Sequence, residues 1–586
     1  MKSTYSIFKD SVKTITEYYM LLVEETKSQR LVGSTNEWVL DNYYMISEQE
    51  KVLKVDLLSK SFRKLEGERM KQLEEVLREF LSKSHYQVDK DLFFHFLQQV
   101  QEARKDYFTY PEVCALLPLM KCILLKELAG LCRQMTADGA YHYSPTDKAL
   151  ADMEKLNDAA LQNLTMMNLF NSLKKMTKLP MSEMIDSISY SEKMLKEEKA
   201  DMYDQMYDRT KDDYRAKITR LSKKRKVKEH ELVKELVAKA DEKGEHVGWQ
   251  LFPPKKWNAR AHWYVWIVVL ASLGLALGFA TWATSGRGFN WVTIVLTVLM
   301  WVPMSQIVID LFNQLLYRIH KPVNTFKIKF KDGLIPKEYA TMVIMPTILK
   351  NKARTVELLE QLEIYYLSNI NRASDGQRLE SRPQNLYYTL IGDAAAGPSE
   401  DMPWDDEVVE AGLAKVKELN AKYGAPIFNF VYRRRAWSDG ENCWLGHERK
   451  RGAILHFNDL LLGNTSEADK QKRFRCETIS QWRERQADQT GTTECPITFI
   501  ITLDTDTELV LYSAQKLIGA MAHPLNRAQL SPDGRRVNAG YGIMQPRVNV
   551  DVEVTNKSRY AQLFAGLGGL DVYTTASFEL YQDIFN

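Results

Sequence analysis

The sequence predicts three successive regions: an α-helical amino-terminal region, a transmembrane helical hairpin and an α/β domain. Apolar residues recur at helical spacing, with few glycines, through the first region. Two uncharged stretches, residues 263–284 and 289–309, are each long enough to cross a bilayer core. Beyond them, short apolar runs alternate with helical patterns, as in a parallel sheet covered by helices. The predicted boundaries are residues 1–250, 251–320 and 321–586.

The composition is that of an ordinary globular protein. Hydrophobic residues at 45% and charged residues at 26% exclude a wholly disordered chain. The formal net charge of +3 over 586 residues gives no basic surplus for nucleic acid, so no nucleic-acid partner is predicted. The six cysteines lack the Cys-x-x-Cys or Cys/His spacing of zinc sites. We therefore expect reduced thiols without a metal.

The first region contains helical patterns such as "QLEEVLREFLSKS" and "HELVKELVAKADEK". Met166 and Met167 lie in one such pattern and are expected in its core rather than at a soft-metal site. Asp89 and Asp91 form a D-x-D pair in a charged helical stretch, where a solvated face is the expectation. The basic run at residues 223–228 fits either a solvated helix face or contact with anionic lipid. No catalytic chemistry is predicted in this region.

The two uncharged stretches are predicted to form a membrane hairpin rather than buried soluble helices. They follow each other closely and carry tryptophans near their ends, as at membrane interfaces. Basic residues flank the pair on both outer sides, whereas the connecting residues 285–288 contain only Arg287. The positive-inside rule then predicts that both large flanks are cytoplasmic.

After the hairpin, four strands are predicted, and two of them end on acidic residues. The predicted strands are residues 339–349, 385–395, 427–435 and 497–506. The first is expected to end at Pro346. Asp393 ends the second strand, while Asp504 and Asp506 end the last. In such sheets ligands bind beyond the carboxyl ends of the strands.

The two aspartates of "FIITLDTDTEL" are candidate ligands of Mg²⁺ or Mn²⁺, because hard divalent cations prefer carboxylate oxygens. Such a cation can bridge a diphosphate and stabilise a departing nucleoside diphosphate. Lys450 and Arg451 supply fixed positive charge, and Asp393, on a neighbouring strand, is placed to accept from a base or ribose. These parts fit a GT-A glycosyltransferase that uses a nucleotide sugar. The alternative is that the aspartate pair caps the following helix.

Several long segments carry a family resemblance. "RRRAWSDGENCWLGHERKRGAILHFNDLLLG", "FIITLDTDTEL", "GYGIMQPRV" and "GLDVYTTASFELYQDIF" resemble the glycosyltransferase segment of cyclic β-1,2-glucan synthases. The resemblance implies a bacterial inner-membrane enzyme that polymerises glucose from UDP-glucose onto a growing, protein-linked glucan chain. By motif, Asp393 would contact the uridine and Lys450 and Arg451 the pyrophosphate. Asp504 and Asp506 would bind the metal and the sugar nucleotide.

The protein-linked primer of that family is similar to a tyrosyl glucoside. The resemblance therefore makes Tyr573 and Tyr581 candidate acceptor residues. The alternative for both is a tyrosine that packs in the core with its hydroxyl hydrogen-bonded.

The chain also departs from the family pattern. Processive GT-A synthases carry their catalytic-base aspartate and a Q-x-x-R-W motif beyond the position of Asn586, and "QWRER" at residues 481–485 precedes the D-x-D strand. His447 stands where an aromatic or small residue is usual. We therefore expect an amino-terminal portion of a longer enzyme that binds UDP-glucose without polymerising it. The alternative is a non-catalytic, membrane-anchored module for nucleotide-sugar binding or scaffolding.

Overall fold

The computed structural model describes residues 3–28, 34–65, 67–137, 153–253, 261–285, 290–319, 325–370, 385–546 and 558–559. By its internal contacts the chain divides into two compact units. The first comprises Met1–Asp204 and Lys211–Phe252, and the second comprises Gln205–Thr210 and Pro253–Asn586. The three predicted region boundaries stay predictions.

The first twelve helices account for the regular structure before the apolar stretches, within the part of the chain that the structure describes. They are α1 Thr4–Lys27, α2 Ser34–Leu58, α3 Lys60–Arg63, α4 Glu68–Lys83, α5 Lys90–Arg104, α6 Tyr110–Ala137, α7 Met153–Lys178, α8 Met181–Ile188, α9 Tyr190–Lys196, α10 Asp208–Arg225, α11 Glu229–Lys243 and α12 Gly248–Leu251. The predicted helical character is confirmed. Helix α6 is the most deeply buried of them, and apolar side chains of α1, α2, α4 and α7 join the same core.

Two motifs of this region have the structural roles expected for them. Met166 is fully buried in the helical core, whereas Met167, the next residue, is half-buried. Asp89 is the N-cap of α5, where its Oδ1 accepts from the backbone N–H groups of Asp91 at 3.0 Å and Leu92 at 3.2 Å. This D-x-D pair is thus a helix cap on an exposed surface, and it provides a matched control for Asp504 and Asp506.

Two long apolar helices follow, α13 Ala261–Ala283 and α14 Trp291–Ile319. Their segments Trp263–Ala283 and Trp291–Leu316 are long and apolar enough to cross a membrane. Only 22% and 17% of the residues in their most apolar windows are buried, unlike the core helices of a soluble protein. They pack against each other, and Trp301 Nε1 donates to Ser272 Oγ at 2.9 Å.

A mostly parallel sheet follows the apolar helices. Its spatial order is β6-β3-β2-β1-β7, and only β6 is antiparallel to its neighbour. The strands are β1 Thr341–Leu349, β2 Leu386–Ala394, β3 Phe428–Arg433, β6 Phe474–Glu477 and β7 Phe499–Thr502. Two small hairpins, β4 Ala436–Ser438 with β5 Cys443–Leu445 and β8 Gln529–Leu530 with β9 Val537–Ala539, lie outside this sheet.

Helices pack on both faces of the sheet. The helices of this region are α15 Lys352–Asn369, α16 Asp405–Tyr423, α17 Arg449–Leu462, α18 Glu467–Arg473, α19 Ile479–Thr490 and α20 Ser513–Ala522. Met342 and Ile344 of β1 belong to the core that includes α17 and α19. The alternate strand residues point the other way, and helices α15 and α16 contact β2 and β3 there. The predicted mainly parallel sheet is confirmed.

The prediction that the first strand ends at Pro346 is wrong, because β1 continues to Leu349. Strand β7 pairs with β1 only from Thr341 to Ile344. The backbone N–H of Leu503 donates to Ile344 O, so Pro346, two residues on, also faces the β7 side. Beyond Ile344 that side of β1 is an edge. A proline without an N–H therefore removes no ladder bond there.

Candidate functional site

The acidic residues lie at the carboxyl ends of two parallel strands. Asp393 is the penultimate residue of β2, and Asp504 and Asp506 follow β7. The expectation that these strands are neighbours is wrong, because β1 lies between them. Two strand spacings separate β2 from β7 by roughly 10 Å. A single small ion therefore cannot span both positions, whereas an extended ligand can.

The aspartate that follows β7 forms an ion pair with the first turn of α17. Lys450 Nζ contacts Asp504 Oδ1, and the side chains are 49% and 56% exposed, respectively. An exposed pair of this kind adds only about 0–1 kcal/mol to stability. Its significance is that it brings a positively charged side chain and a carboxylate together at the carboxyl ends of the strands. Arg451, the next residue, pairs instead with Glu448 at 3.0 Å.

The turn that carries Asp504 and Asp506 is tight and is held by α15. The backbone N–H of Thr507 donates to Asp504 O at 3.1 Å. Tyr365 Oη donates to Thr507 O at 2.9 Å, and Gln361 Nε2 donates to Thr505 O at 3.4 Å. Sequence analysis missed both α15 residues. Their spacing of i and i+4 on the helix after β1 was the available signal.

The alternative that the aspartate pair caps the next helix is not what the structure contains. Helix α20 begins at Ser513, and Tyr512, in a left-handed conformation, is its N-cap. Asp504 and Asp506 lie well before that position, and both are exposed. Their carboxylates are therefore available at the edge of the sheet rather than engaged by the helix.

A divalent cation at this turn needs oxygen ligands from outside the protein. Among the described residues there is no group of three or more His, Cys, Asp or Glu side chains that could hold a metal. Two exposed carboxylates still fit Mg²⁺ or Mn²⁺, because these ions keep several waters or phosphate oxygens as ligands. The donor set suits a cation bound together with a diphosphate. The metal and the roles of Asp504 and Asp506 stay predictions.

Asp393 is 5% exposed and is paired with a buried guanidinium. Its Oδ1 accepts from Arg433 Nη1 at 2.8 Å. Arg433 Nη2 also donates to His447 O at 2.9 Å. Gly446 lies so close that an added Cβ would be 2.8 Å from Asp393 Oδ2. The pair thus fixes the loop that leads into α17 and Lys450, while a contact between Asp393 and uridine stays a prediction.

The buried position of Asp393 predicts a pH dependence. Burial raises the pKa of this carboxyl to about 6, and Arg433 only partly offsets that effect. An unfolded Asp titrates near 3.9, so between pH 4 and pH 6 the folded chain binds more protons. The free energy of unfolding should fall as pH rises through that window, by at most about 3 kcal/mol, and should level off above pH 6.

Hydrogen exchange of β2 peptides, corrected for intrinsic rates, should show this pH dependence in the wild type. It should be absent from Asp393→Asn, and equal slopes in both proteins would contradict the assignment.

A second buried ion pair fixes the chain after β2. Arg435 binds both oxygens of Asp405, at 2.6 and 3.0 Å, and both side chains are fully buried. Arg435 Nε also donates to Ala395 O at 2.6 Å, and its Nη1 donates to Glu400 O at 3.0 Å. These bonds hold residues 395–400 beside the carboxyl end of β2. The sequence "YRRR" showed only a basic strand end and did not reveal this role.

Tyr573 and Tyr581, the candidate acceptor residues, lie outside the described residues, as do residues 286–289 of the connecting loop. Of the other predicted site residues, Asp393 lies near the end of β2, and Lys450 and Arg451 lie in the first turn of α17. The structure brings Lys450 to Asp504, while β1 lies between the strands that carry Asp393 and Asp504. Arg451 pairs with Glu448.

A curated relative is similar over half of the chain. The cyclic beta-(1,2)-glucan synthase NdvB of Rhizobium meliloti (strain 1021) is 29% identical over 298 residues, which cover 50% of this chain and 9% of that protein. The chain is a distant relative of this synthase. The resemblance predicted from the motifs is thereby confirmed. No protein-family model matches the chain. Because the chain spans only 9% of NdvB, the activity of that whole protein is a proposal for this one.

Proposed function

We propose that this chain is the nucleotide-sugar-binding part of a membrane glycosyltransferase that uses UDP-glucose to build a β-1,2-glucan. The observation that carries the proposal is the meeting of Lys450 with Asp504 at the carboxyl edge of a parallel sheet. A positively charged side chain can bind a diphosphate, and a carboxylate can bind the metal ion that accompanies the diphosphate. The relation to NdvB, whose name states glucan synthesis, supports the same substrate class.

The proposed binding mode is GT-A-like and assigns a part to each group. Asp504 and Asp506 would hold Mg²⁺ or Mn²⁺. Lys450 exchanges its carboxylate partner for the diphosphate, with Arg451 nearby on the same helix turn. When bound, the cation would supply electrostatic stabilisation for the charge on the departing UDP. The uridine extends toward β2, where Asp393 and Arg433 fix the wall of the site.

The alternative, a non-catalytic module that binds nucleotide sugar, shares the binding site and differs only in turnover. The growing glucan chain and an acceptor tyrosine belong to the first proposal alone. The inability of these 586 residues to polymerise glucose also stays a prediction. Incubation of the chain with labelled UDP-glucose and Mg²⁺ separates the two. Slow release of UDP without glucan, with water as the acceptor of the glucosyl group, supports the transferase, whereas a pure binding module leaves the sugar nucleotide intact.

Calorimetric titration of the purified chain with UDP tests the shared binding site. We expect binding in the presence of Mg²⁺ or Mn²⁺ and much weaker binding in EDTA, because the diphosphate and the two carboxylates repel each other without the cation. Inorganic phosphate is the control ligand, since it lacks the nucleoside. Binding that does not depend on the metal, or an absence of UDP binding, would contradict the proposal.

We also propose that α13 and α14 cross the bacterial inner membrane as a hairpin, with both large flanks cytoplasmic and in contact with the lipid. A cysteine introduced at Ser285 should react with a membrane-impermeant maleimide added to intact cells, whereas one at Lys350 should not. The basic flanks and the nearly uncharged connection are the reason. The unmodified chain controls for its own six cysteines. Labelling at Lys350 but not at Ser285 would reverse the proposed topology.

A further inference from the structure

The β4–β5 hairpin holds an exposed tryptophan in a fixed orientation. Trp437 and Trp444 are cross-strand partners, and their rings are 5.9 Å apart at 66°. Trp437 is 47% exposed, and its Nε1 donates to Asp439 Oδ1 at 2.8 Å. An indole that is both exposed and oriented offers a flat apolar face at small entropic cost.

This hairpin is attached to the site described above. Trp444 and Gly397 exchange backbone hydrogen bonds of 2.9 and 3.0 Å, and Gly397 belongs to the segment after β2. After β5 the chain passes Gly446, beside Asp393, and enters α17 through Glu448 and Arg449. Both of these residues have left-handed backbone conformations, with φ of 52° and 47°. The sharp entry into α17 leaves a space between the hairpin and the helix start.

That space is a cavity of about 480 Å³ that is widely open to solvent. Its lining combines the apolar side chains of Trp437 and Leu445 with polar ones from His447, Glu441, Glu448 and Arg449. The volume is in the range of small-molecule sites. An apolar face bordered by convergent polar groups is the usual composition of such a site.

The charges of the lining select against a phosphate ligand. Each arginine at or beside this lining already faces a carboxylate, because Arg449 pairs with Glu441 at 2.9 Å and Arg451 pairs with Glu448 at 3.0 Å. A diphosphate would meet two carboxylates there, whereas Lys450 and the aspartate turn offer it a cation site nearby. A neutral polyol fits instead, because carboxylates accept from hydroxyls and the guanidinium donates to them. The C–H face of a pyranose ring can lie on the indole.

We propose that this cavity binds one glucosyl unit of a glucan chain, stacked on Trp437 and hydrogen-bonded by Glu441 and Glu448. The proposal rests on the proposed function, since a glucan synthase has to hold its growing chain close to the sugar nucleotide. The cavity lies on the β2–β3 side of the Lys450–Asp504 pair, toward which the uridine is proposed to extend, so the glucan bound there is held away from its reacting end.

The test titrates a β-1,2-linked glucose trisaccharide into the full-length chain in detergent. We expect binding by the wild type and an affinity about five- to tenfold weaker for Trp437→Ala, because the stacking contact with the indole is removed. Trp437→Phe keeps an aromatic face and should lose less affinity. Leu530→Ala, which truncates an exposed side chain on β8, is the control and should bind the trisaccharide as the wild type does.

Parallel titrations with UDP and Mg²⁺ separate this inference from the proposed function. UDP affinity should be unchanged in Trp437→Ala, which also shows that the variant is folded. A wild type that binds UDP but not the trisaccharide, or equal trisaccharide affinity in Trp437→Ala, would overturn the subsite alone. Loss of UDP binding in the wild type would overturn the proposed function instead.

Discussion

Replacing Asp504 and Asp506 together by asparagine should abolish Mg²⁺-dependent binding of UDP, with an affinity loss of more than about 100-fold. Each substitution removes a full negative charge from a hard-cation site while it preserves size and shape. Without the cation, the diphosphate keeps Lys450 and Arg451 as its proposed positive partners. Calorimetry in the presence and absence of Mg²⁺ measures the effect directly.

The matched control is the double variant Asp89→Asn with Asp91→Asn. Asp89 caps α5, and asparagine is as good an N-cap, so the fold of that helix should persist. UDP affinity should be unchanged there. A 504/506 variant that binds UDP as the wild type does would show that the strand-end carboxylates hold no cation. The proposed binding mode would then be wrong.

A further variant, Lys450→Met, separates the two charges of the ion pair. It frees Asp504 for a cation but removes a positive partner of the diphosphate. We expect an intermediate loss, and a retained response to Mg²⁺, since the metal ligands remain. A Lys450 variant whose UDP binding no longer responds to Mg²⁺ would assign the metal dependence to another part of the chain.

The alternation of strands and helices made the α/β unit predictable, and strand-end acids pointed to one edge of the sheet. The spatial order of the strands was not available from the sequence, because periodicity indicates which face of a strand is buried but not its neighbour. Asp393 was therefore placed beside the D-x-D strand, although β1 intervenes. Strand β6, "FRCE", escaped detection because it is short and half polar.

The end of the first strand was predicted wrongly at Pro346 for a related reason. A proline usually ends a paired strand, and only the shortness of β7, which pairs with β1 as far as Ile344, makes it harmless here. The roles of the consecutive arginines at 433–435 could not be predicted from the sequence either. Arg433 binds Asp393 and Arg435 binds Asp405, and these partners are distant in sequence. Buried ion pairs of this kind depend on tertiary contacts that a single sequence does not display.

Replacing Arg435 by methionine should be the most destabilising single change near the site, at about 3–5 kcal/mol. The substitution leaves Asp405 as a buried charge without its guanidinium, which costs far more than the pair itself contributes. The Asp405 carboxylate would retain Tyr432 Oη at 2.9 Å, the backbone N–H of Met402 at 2.9 Å and the more distant Arg475 guanidinium at 3.7 Å. These partners replace only part of what a bidentate arginine supplies.

Hydrogen exchange of peptides from residues 395–405 measures the effect locally, which avoids assigning one unfolding midpoint to a chain with two units. Exchange there should accelerate by roughly 100-fold or more, since each 1.4 kcal/mol is a factor of ten. Arg354→Met is the control. It breaks an exposed pair with Glu357 on α15, worth at most about 1 kcal/mol, and should leave exchange in residues 395–405 unchanged.

The same variant connects stability with binding. Arg435 holds the carbonyls of Ala395 and Glu400, so its loss releases the segment that follows Asp393 and pairs with the β4–β5 hairpin through Gly397. A released segment must be ordered again when a ligand binds, and that entropy weakens affinity. UDP affinity should therefore fall in Arg435→Met although no proposed ligand contact is removed. Unchanged exchange in residues 395–405 would show that Asp405 is satisfied without Arg435, and unchanged UDP affinity despite faster exchange would place the nucleotide away from the end of β2.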